Sequence, residues 1–253
     1  MKKEIHIFFT ALMFFTRIPC PKWVDHDPTY LKKSARYFSL VGIIVGSIAG
    51  LVFYGASFIL PLEIALLLSM ASSIYTTGAF HEDGFADVCD GLGGGWTKEK
   101  ILLIMKDSTL GTYGVIGIGL LLATKFSALR EVPTYYIPLA IISGHSLSRF
   151  IATTLLYTHP YVRETGDSKA KPAAKNIGLG IVIVSGLTGI IPLFFFKSPI
   201  VFLVIIPMYL SKMYLGAKFT KWLGGQTGDC AGAVQQLSEV IFYISLIALW
   251  TYI

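Results

Sequence analysis

The chain has 253 residues, of which 54% are hydrophobic and only 14% are charged, and its mean hydropathy is +0.65. Such a composition is too apolar for an ordinary soluble domain. Because a helix that spans a bilayer needs roughly 20 predominantly apolar residues, the chain has room for about six or seven spans and little else. We therefore predict one all-α integral membrane domain over residues 1–253 and no separate soluble domain.

The net charge bears on possible binding partners, and the cysteines bear on disulfides and zinc binding. A net charge of +6 is compatible with a nucleic-acid partner, but membrane proteins also accumulate Lys and Arg in cytoplasmic loops. The location of the basic residues along the chain distinguishes these two explanations. The three cysteines, Cys20, Cys89 and Cys230, lie far apart and match no zinc-binding spacing. They predict neither a disulfide framework nor a zinc site.

In chain order, the first predicted element is an apolar segment at the N-terminus. Lys2 and Lys3 precede a run from Ile5 to Phe15, as in the start of a signal peptide, but residues 17–20 lack the small-residue cleavage pattern. The segment is therefore kept as mature protein. At about fourteen residues it is short for a span, so an interfacial or re-entrant helix is predicted.

Apolar runs then mark the membrane helices. Short links and longer polar segments separate them in strict alternation along the chain. The pattern predicts a polytopic integral membrane helix bundle with spans at about 37–60, 62–80, 110–129, 135–156, 177–196, 199–217 and 235–252. The longer polar segments cover about 16–36, 81–109, 157–176 and 218–234.

Alternation places all four longer polar segments on one side of the membrane. They contain 14 of the 21 lysines and arginines, and Lys2 and Lys3 raise the total to 16. The positive-inside rule predicts that this side faces the cytoplasm at the cell membrane. Topology thereby explains the basic charge, and we expect no nucleic-acid partner. Some of these cations could also hold an anionic substrate, namely Lys98, Lys100, Arg163, Lys171 and Lys175.

The second longer segment begins with acidic residues at helical spacing. If it is helical, Asp83, Asp87 and Asp90 fall at i, i+4 and i+7, which puts three carboxylates on one face. Like charges so spaced repel, and a bound cation would resolve the repulsion. The alternative is a solvated acidic face. Against it, six of the chain's 15 acidic residues are concentrated here, among them Glu82, Asp83, Asp87, Asp90 and Asp107.

This acidic segment predicts a metal site for phosphoryl-type transfer. Oxygen ligands favour Mg²⁺, with Mn²⁺ as a substitute, and Mg²⁺ is usually held by few carboxylates with water positions open to substrate phosphates. Zinc is disfavoured because His81 is the only nitrogen ligand nearby. Glu82 is adjacent and counts as a fourth, weaker candidate ligand.

Glycines and single aspartates recur in the polar segments on the same side. Residues 105–114 and 224–233 each place glycines around one aspartate, Asp107 or Asp229, just before a predicted span. We expect these two clusters to converge with the acidic segment. The run Gly91–Gly95 either approaches a phosphate with its backbone or ends the helix, and both interpretations stay open.

Small and charged residues also occur inside the predicted spans. The glycine series at 42–50 and 111–119 predict close helix packing through small faces. Arg149 stands out because a charge in a span is costly and usually functional, and His145 lies one turn earlier on the same face. Arg149 either anchors a phosphate or pairs with a carboxylate. Glu239 in the last span invites the same two interpretations.

Short motifs follow one another in a specific order along most of the chain. They are Phe14–Pro19, the segment Phe80–Gly91, Lys106–Thr112, Ser148-Arg149, Tyr161-x-Arg163, Gly225–Ala233 and Glu239. In this order they resemble the cobalamin synthase family, the adenosylcobinamide-GDP ribazoletransferases, which join the lower nucleotide to cobinamide in vitamin B12 assembly. The similarity runs along most of the chain.

The resemblance implies a Mg²⁺-dependent transfer in which a hydroxyl of α-ribazole, or of its 5′-phosphate, attacks the cobinamide-bound phosphorus of adenosylcobinamide-GDP. GMP would leave, and adenosylcobalamin or its 5′-phosphate would form. The lipid bilayer is the setting. An oligomer, or an association with other enzymes of cobalamin assembly, stays open.

The resemblance also implies roles for residues of this chain. Asp83, Asp87 and Asp90 would bind the metal, and Asp83, His81 and Asp107 are the catalytic candidates. His81 would act as a general base only if the helix starts after it, because an ideal helix turns it away from the aspartate face. The candidate substrate contacts are Lys106, Ser108, Arg149, Arg163, Thr227, Asp229, Glu239 and Arg17.

Two other functions are compatible with parts of this sequence. The element Asp83-Gly84-x-Ala86 resembles the CDP-alcohol phosphotransferases, although Ala86 comes one place early and Asp87 stands where that family has arginine. Transporters also build sites from intramembrane charges and glycine-interrupted helices. Most acidic residues lie instead at predicted cytoplasmic ends, where a nucleotide can reach them, and this favours the transferase.

Overall fold

The computed structural model of the protein describes residues 2–25, 27–163 and 177–252. Within these ranges the chain is helical, and the β-type pairing found there is an isolated bridge between Tyr161 and Gln226. The all-helical class predicted from the sequence is confirmed. Lys169, Lys171 and Lys175, which belong to the predicted cytoplasmic charge, lie outside the described residues.

The helices follow one another with short connections. Short 3₁₀ turns cover Ala35–Tyr37, Thr134–Tyr136, Ile191–Phe195, Pro199–Val204 and Trp250–Tyr252. The α-helices of the described residues are α1 (Lys2–Phe15), α2 (Pro28–Ser34), α3 (Phe38–Ala56), α4 (Leu62–Thr77), α5 (Phe80–Gly94), α6 (Lys98–Ile104), α7 (Thr112–Glu131), α8 (Ile137–Thr158), α9 (Leu179–Ile190), α10 (Ile205–Leu223) and α11 (Gly228–Leu249).

The described residues contain five helical segments that are long and apolar enough to cross a membrane, or six if one bent pair counts as a span. A multi-pass membrane helix bundle is thus confirmed, with fewer spans than the seven apolar runs of the sequence. The five segments are Thr29–Ala56, Thr112–Glu131, Thr134–Thr158, Pro199–Leu223 and Gly228–Tyr252.

The predicted span at 62–80 is broken. α4 ends at Thr77, and Gly78 and Ala79 both adopt left-handed backbone conformations, with φ of 68° and 58°. The chain turns by 88° there and continues as α5. Glycine is required at position 78 because a Cβ atom would also lie 2.5 Å from Nε of Arg17. The acidic segment is therefore a separate helix that starts from this turn.

The predicted span at 177–196 is shorter than expected. Its α-helical part is α9, and residues Ile191–Phe195 continue it only as a 3₁₀ turn. Pro192 sits at the start of that turn, where it removes an N–H donor from the helical hydrogen-bond pattern. The combined segment stays below the length of the five membrane-crossing segments.

The core of the bundle is built on the close contact between α3 and α8. A Cβ atom at Gly42 would lie 2.4 Å from the carbonyl oxygen of His145, and one at Gly46 would lie 2.7 Å from Cα of Ile142. Glycines at this interface let the two backbones approach each other. The close packing predicted for the 42–50 series is confirmed.

The acidic helix α5 is held between α7 and α11. A Cβ atom at Gly84 would lie 3.0 Å from Cα of Asp229, at the start of α11. On the other side, a Cβ atom at Gly117 of α7 would lie 2.6 Å from Sγ of Cys89. The 111–119 series thus also packs closely, except for Gly119, whose Cβ position has no atom of the described chain within 4 Å.

Candidate active site

The acidic residues lie on a regular α-helix, so the predicted i, i+4, i+7 spacing holds for Asp83, Asp87 and Asp90. Asp83 is exposed, Asp87 is partly buried and Asp90 is buried. α5 ends at Gly94, so the glycine run ends the helix. A Cβ atom at Gly91 would lie 2.6 Å from Cγ of Met105, which shows that this run also lets α6 pack against α5.

Asp83 and Asp87 line a cavity of about 250 Å³. Its other wall is the connection between α6 and α7, from Met105 to Leu110. The predicted convergence of these two clusters is confirmed, because Lys106, Asp107 and Ser108 all lie in that wall. The cavity therefore combines carboxylates, a lysine and a hydroxyl group in one place.

Asp107 is an exposed carboxylate in the wall of the cavity. Its Oδ1 accepts hydrogen bonds from the backbone N–H of Thr109, at 3.0 Å, and from the Thr109 hydroxyl. Both bonds favour the charged form, and they lower the pKa of Asp107 below the ordinary value of an aspartate. Asp107 is therefore an anion at neutral pH and a weaker base than an unbonded carboxylate.

Arg163 joins the third cluster to the cavity wall. Its Nη2 donates to Oδ2 of Asp229 at 2.7 Å and to the carbonyl oxygen of Met105 at 3.3 Å. The guanidinium is thus shared between the start of α11 and the end of α6. Because Met105 also lines the cavity, Arg163 places a fixed positive charge beside it.

A short backbone pairing positions Arg163. The N–H of Gln226 donates to the carbonyl oxygen of Pro160 at 2.8 Å, and the N–H of Val162 donates to that of Gln226 at 3.0 Å. This approach requires glycine at position 225, where a Cβ atom would lie 2.2 Å from the Pro160 oxygen. Thr227, a predicted substrate contact, is buried and caps α11 by accepting from the N–H of Cys230 at 3.3 Å.

Carboxylates outnumber basic side chains around the cavity. The carboxylates of Asp229 and Asp83 repel that of Asp87, and Arg163 attracts it. Among the described residues, no group of three or more His, Cys, Asp or Glu side chains is arranged to hold a metal. Mg²⁺ commonly takes only one or two carboxylates together with water and substrate phosphates. Asp83 and Asp87 fit that pattern, since both face one cavity of this size.

The other two candidate ligands have different partners. Both carboxylate oxygens of Asp90 accept backbone N–H groups, from Gly111 and from Gly114, each at 2.8 Å. Glu82 is buried, and its Oε1 accepts from Nε2 of Gln236 at 2.9 Å. Neither residue lines the cavity. Of the four predicted ligands, the structure brings only Asp83 and Asp87 together there.

His81 does not meet the condition set for a general base. α5 begins at Phe80, before His81, so the helix turns this side chain away from the aspartate face. The imidazole is 2% exposed, and its ring lies 5.4 Å from the ring of Phe38 in a stacked arrangement. Neither ring nitrogen has a hydrogen-bond partner among the residues that the structure describes.

Arg149 and Glu239, both predicted substrate contacts, lie in a buried polar network. Glu239 forms an ion pair with Lys125 at 2.5 Å and accepts from Gln235 at 2.8 Å and from Tyr243 at 3.1 Å. Arg149 is 1% exposed. The network lies among α7, α8 and α11.

His145 connects the two halves of this network. Its Nδ1 lies 3.4 Å from the Glu239 carboxylate and 3.1 Å from Nη1 of Arg149, which also donates to the His145 carbonyl oxygen at 2.8 Å. Lys125 was not predicted from the sequence, although a lone lysine within an apolar run is the signal that marks it. Arg17 lies apart from the cavity, beside the turn at Gly78.

These features define a class: a multi-pass membrane protein in which a helix with two cavity-facing aspartates lies opposite a polar loop and beside a fixed arginine. A sequence profile of the family described as cobalamin-5-phosphate synthase matches residues 7–247. The chain belongs to this family. No solved structure matches it at a significant level.

Curated relatives cover nearly the whole chain and carry the name adenosylcobinamide-GDP ribazoletransferase. The relative from Shewanella frigidimarina is 45% identical over 97% of this chain and 95% of its own. Those from Shewanella pealeana and Shewanella amazonensis are 41% and 40% identical, over 98% and 99% of this chain and 97% and 98% of theirs. The resemblance drawn from the motifs is confirmed, and the CDP-alcohol phosphotransferase and transporter alternatives are disfavoured.

Proposed function

We propose that the chain transfers α-ribazole, or its 5′-phosphate, to adenosylcobinamide-GDP and releases GMP. The proposal rests on the family and on one observation: the cavity lined by Asp83, Asp87 and the Lys106–Leu110 loop, with Arg163 beside it. The product is adenosylcobalamin or its 5′-phosphate. Relatives that match nearly the whole chain carry the name adenosylcobinamide-GDP ribazoletransferase, which supports this proposal.

In this reaction the hydroxyl oxygen of the ribazole forms a bond to the cobinamide-bound phosphorus. The bond from that phosphorus to the bridging oxygen of GMP breaks, and the hydroxyl loses its proton. There is little covalent chemistry for the protein to perform, so catalysis depends on positioning and on stabilising charge on the phosphate oxygens.

Asp83 and Asp87 would hold the divalent cation, Mg²⁺ or Mn²⁺, which would supply positive charge to the pyrophosphate and to the departing GMP. Arg163 is held by Asp229 and offers its remaining N–H groups to phosphate oxygens. Lys106 and Ser108 lie in the opposite wall, within the same cavity. The cavity can therefore hold a pyrophosphate from two sides.

A carboxylate is the natural acceptor for the hydroxyl proton. Asp83 and Asp107 are both exposed and both line the cavity. The hydrogen bonds from Thr109 lower the pKa of Asp107 and so make it a weaker base than a carboxylate without such bonds. Asp83 would also hold the cation, which weakens its carboxylate as a base, so the proton acceptor is assigned to this pair of carboxylates and to neither one alone.

The reaction itself provides the first test. The purified protein, in detergent or lipid, is expected to release GMP from adenosylcobinamide-GDP only when α-ribazole and a divalent cation are both present. Release is followed by chromatography, with and without excess EDTA, and Mg²⁺ is added back in the control. Undiminished turnover in EDTA would contradict the metal assignment, whereas absence of turnover under all conditions would contradict the proposed reaction.

The active site is proposed to face the cytoplasm at the cell membrane. Trp96 lies on the side of the cavity and is 82% exposed, and Tyr135, across α7, is 86% exposed. Each is replaced by cysteine in a variant whose three native cysteines are alanine. A membrane-impermeant maleimide is expected to label Tyr135→Cys in intact cells and Trp96→Cys only after permeabilisation. Labelling of Trp96→Cys in intact cells would reverse the orientation.

A further inference from the structure

Asp90 has an unusual position for a candidate metal ligand. It lies near the C-terminal end of α5, where the helix dipole disfavours a negative charge, but its carboxylate faces the N-terminal end of α7. One oxygen accepts the N–H of Gly111 and the other accepts the N–H of Gly114, both at 2.8 Å. The side chain is 9% exposed.

These two N–H groups are among the four that the start of a helix leaves without intrahelical partners. Gly111 is the N-cap residue of α7, and Gly114 is the third residue of the helix. A Ser, Thr, Asp or Asn side chain at the N-cap usually accepts the N–H of the second or third helical residue. Glycine has no such side chain, and α7 has no side-chain cap of its own.

Both glycines are needed for the approach of Asp90. A Cβ atom at Gly111 would lie 2.4 Å from Oδ1 of Asp90, and one at Gly114 would lie 2.3 Å from Oδ2. Gly111 has φ of −88°, which any residue adopts, so backbone conformation does not require glycine there. The space taken by the Asp90 carboxylate does.

We infer that Asp90 is a positioning residue: it caps α7 from the neighbouring helix and thereby fixes the Lys106–Leu110 loop over the Asp83–Asp87 cavity. The loop runs directly into Gly111, so the two hydrogen bonds fix its end relative to α5. Asp87 and Asp90 then have different tasks on one helix face. This inference rests on the proposed function for its effect on turnover, but the cap itself is independent of the substrate.

The test uses second-site rescue. In Asp90→Ala the carboxylate is gone, so the side chain of Gly111→Ser has room to cap α7 in the usual way. We expect Asp90→Ala to lower kcat/KM by roughly 10- to 100-fold and to speed exchange of the Gly111 and Gly114 amides by a similar factor. Asp90→Ala/Gly111→Ser should recover both to within about threefold.

Gly111→Ser should have opposite effects in the two backgrounds, restoring function in Asp90→Ala and impairing it in the wild type. Gly111→Ser in the wild-type background should be harmful, because its Cβ would lie 2.4 Å from the Asp90 carboxylate. Gly119→Ser on the same helix is the matched control and should be neutral, since no atom of the described ranges lies within 4 Å of its Cβ position. Throughout, the Mg²⁺ concentration for half-maximal turnover should stay within about twofold of wild type, because the cation ligands are untouched.

Amide exchange separates the possible failures. If the double variant recovers amide protection but not turnover, Asp90 acts on the metal or substrate and the inference is overturned. If Asp90→Ala does not fold, Asp90→Asn replaces it: partial loss of protection with partial loss of turnover is expected. Native protection with complete loss of turnover in Asp90→Asn would overturn the inference. Exchange is measured without substrate, so failure of the proposed reaction leaves this part of the test intact.

Discussion

Replacing either Asp83 or Asp87 with asparagine is expected to lower turnover on the order of a thousandfold, while the protein still folds. Both carboxylates line the cavity, and both are proposed to hold the cation that balances the pyrophosphate charge. Asparagine keeps the shape of the side chain but removes the negative charge, so cation binding is the property most directly changed. Asp83 is exposed and Asp87 is partly buried, so neither change opens a hole in the core.

Three measurements make this prediction specific. GMP release gives turnover, thermal unfolding in detergent gives stability, and electron paramagnetic resonance with Mn²⁺ gives cation binding without substrate. Glu99→Gln is the control, because it removes one exposed carboxylate from α6 without touching the cavity. A fully active Asp87→Asn, or a variant that loses turnover but binds Mn²⁺ as wild type does, would contradict the ligand assignment.

The helical face of aspartates could be predicted because it is a local property. Side chains four and seven residues apart share a face of any α-helix, so the relation between Asp83, Asp87 and Asp90 follows from spacing alone. The partners of those side chains are not local. Asp90 contacts amides 21 and 24 residues further on, and Arg163 contacts Asp229 across 66 residues. Spacing along the chain carries no information about such contacts.

The bend at Gly78 could not be predicted from the sequence, for a related reason. An apolar run shows that a segment can lie in a membrane, but hydropathy does not register a change of direction within it. The left-handed turn at Gly78 and Ala79 packs against Arg17, whose backbone N–H donates to the carbonyl oxygen of Thr76 at 2.7 Å. That contact joins segments about sixty residues apart, and only the folded chain reveals it.

The charged residues inside the spans could be recognised from the sequence, but their role could not be decided from it. Arg149 and Glu239 admitted two interpretations, substrate contact or pairing within the protein. The structure favours pairing, because both lie in one buried network with Lys125 and His145. Their predicted role in substrate binding stays a prediction. For Glu239 it can be tested through the stability of its ion pair with Lys125.

Glu239→Gln is expected to lower the free energy of unfolding by about 3–5 kcal/mol. Lys125 is 3% exposed, and its ammonium lies 2.5 Å from the Glu239 carboxylate inside the bundle. Without that carboxylate, a positive charge stays in a low-dielectric interior with no counterion in contact. Total stabilities are only about 5–15 kcal/mol, so the loss is large and is measured by denaturant unfolding in detergent micelles.

The double variant Lys125→Met/Glu239→Gln should recover most of that loss, because replacing a buried ion pair as a unit is often neutral. Glu82 and Arg149 then remain as one buried negative and one buried positive charge. Glu63→Gln, which breaks the exposed pair with Arg130 at 3.3 Å, is the control and should change stability by no more than about 1 kcal/mol. A double variant as unstable as the sum of its single variants would show that Lys125 and Glu239 act independently. A stable double variant without turnover would instead assign the Lys125–Glu239 pair to substrate binding, since the cavity at Asp83 and Asp87 is unchanged.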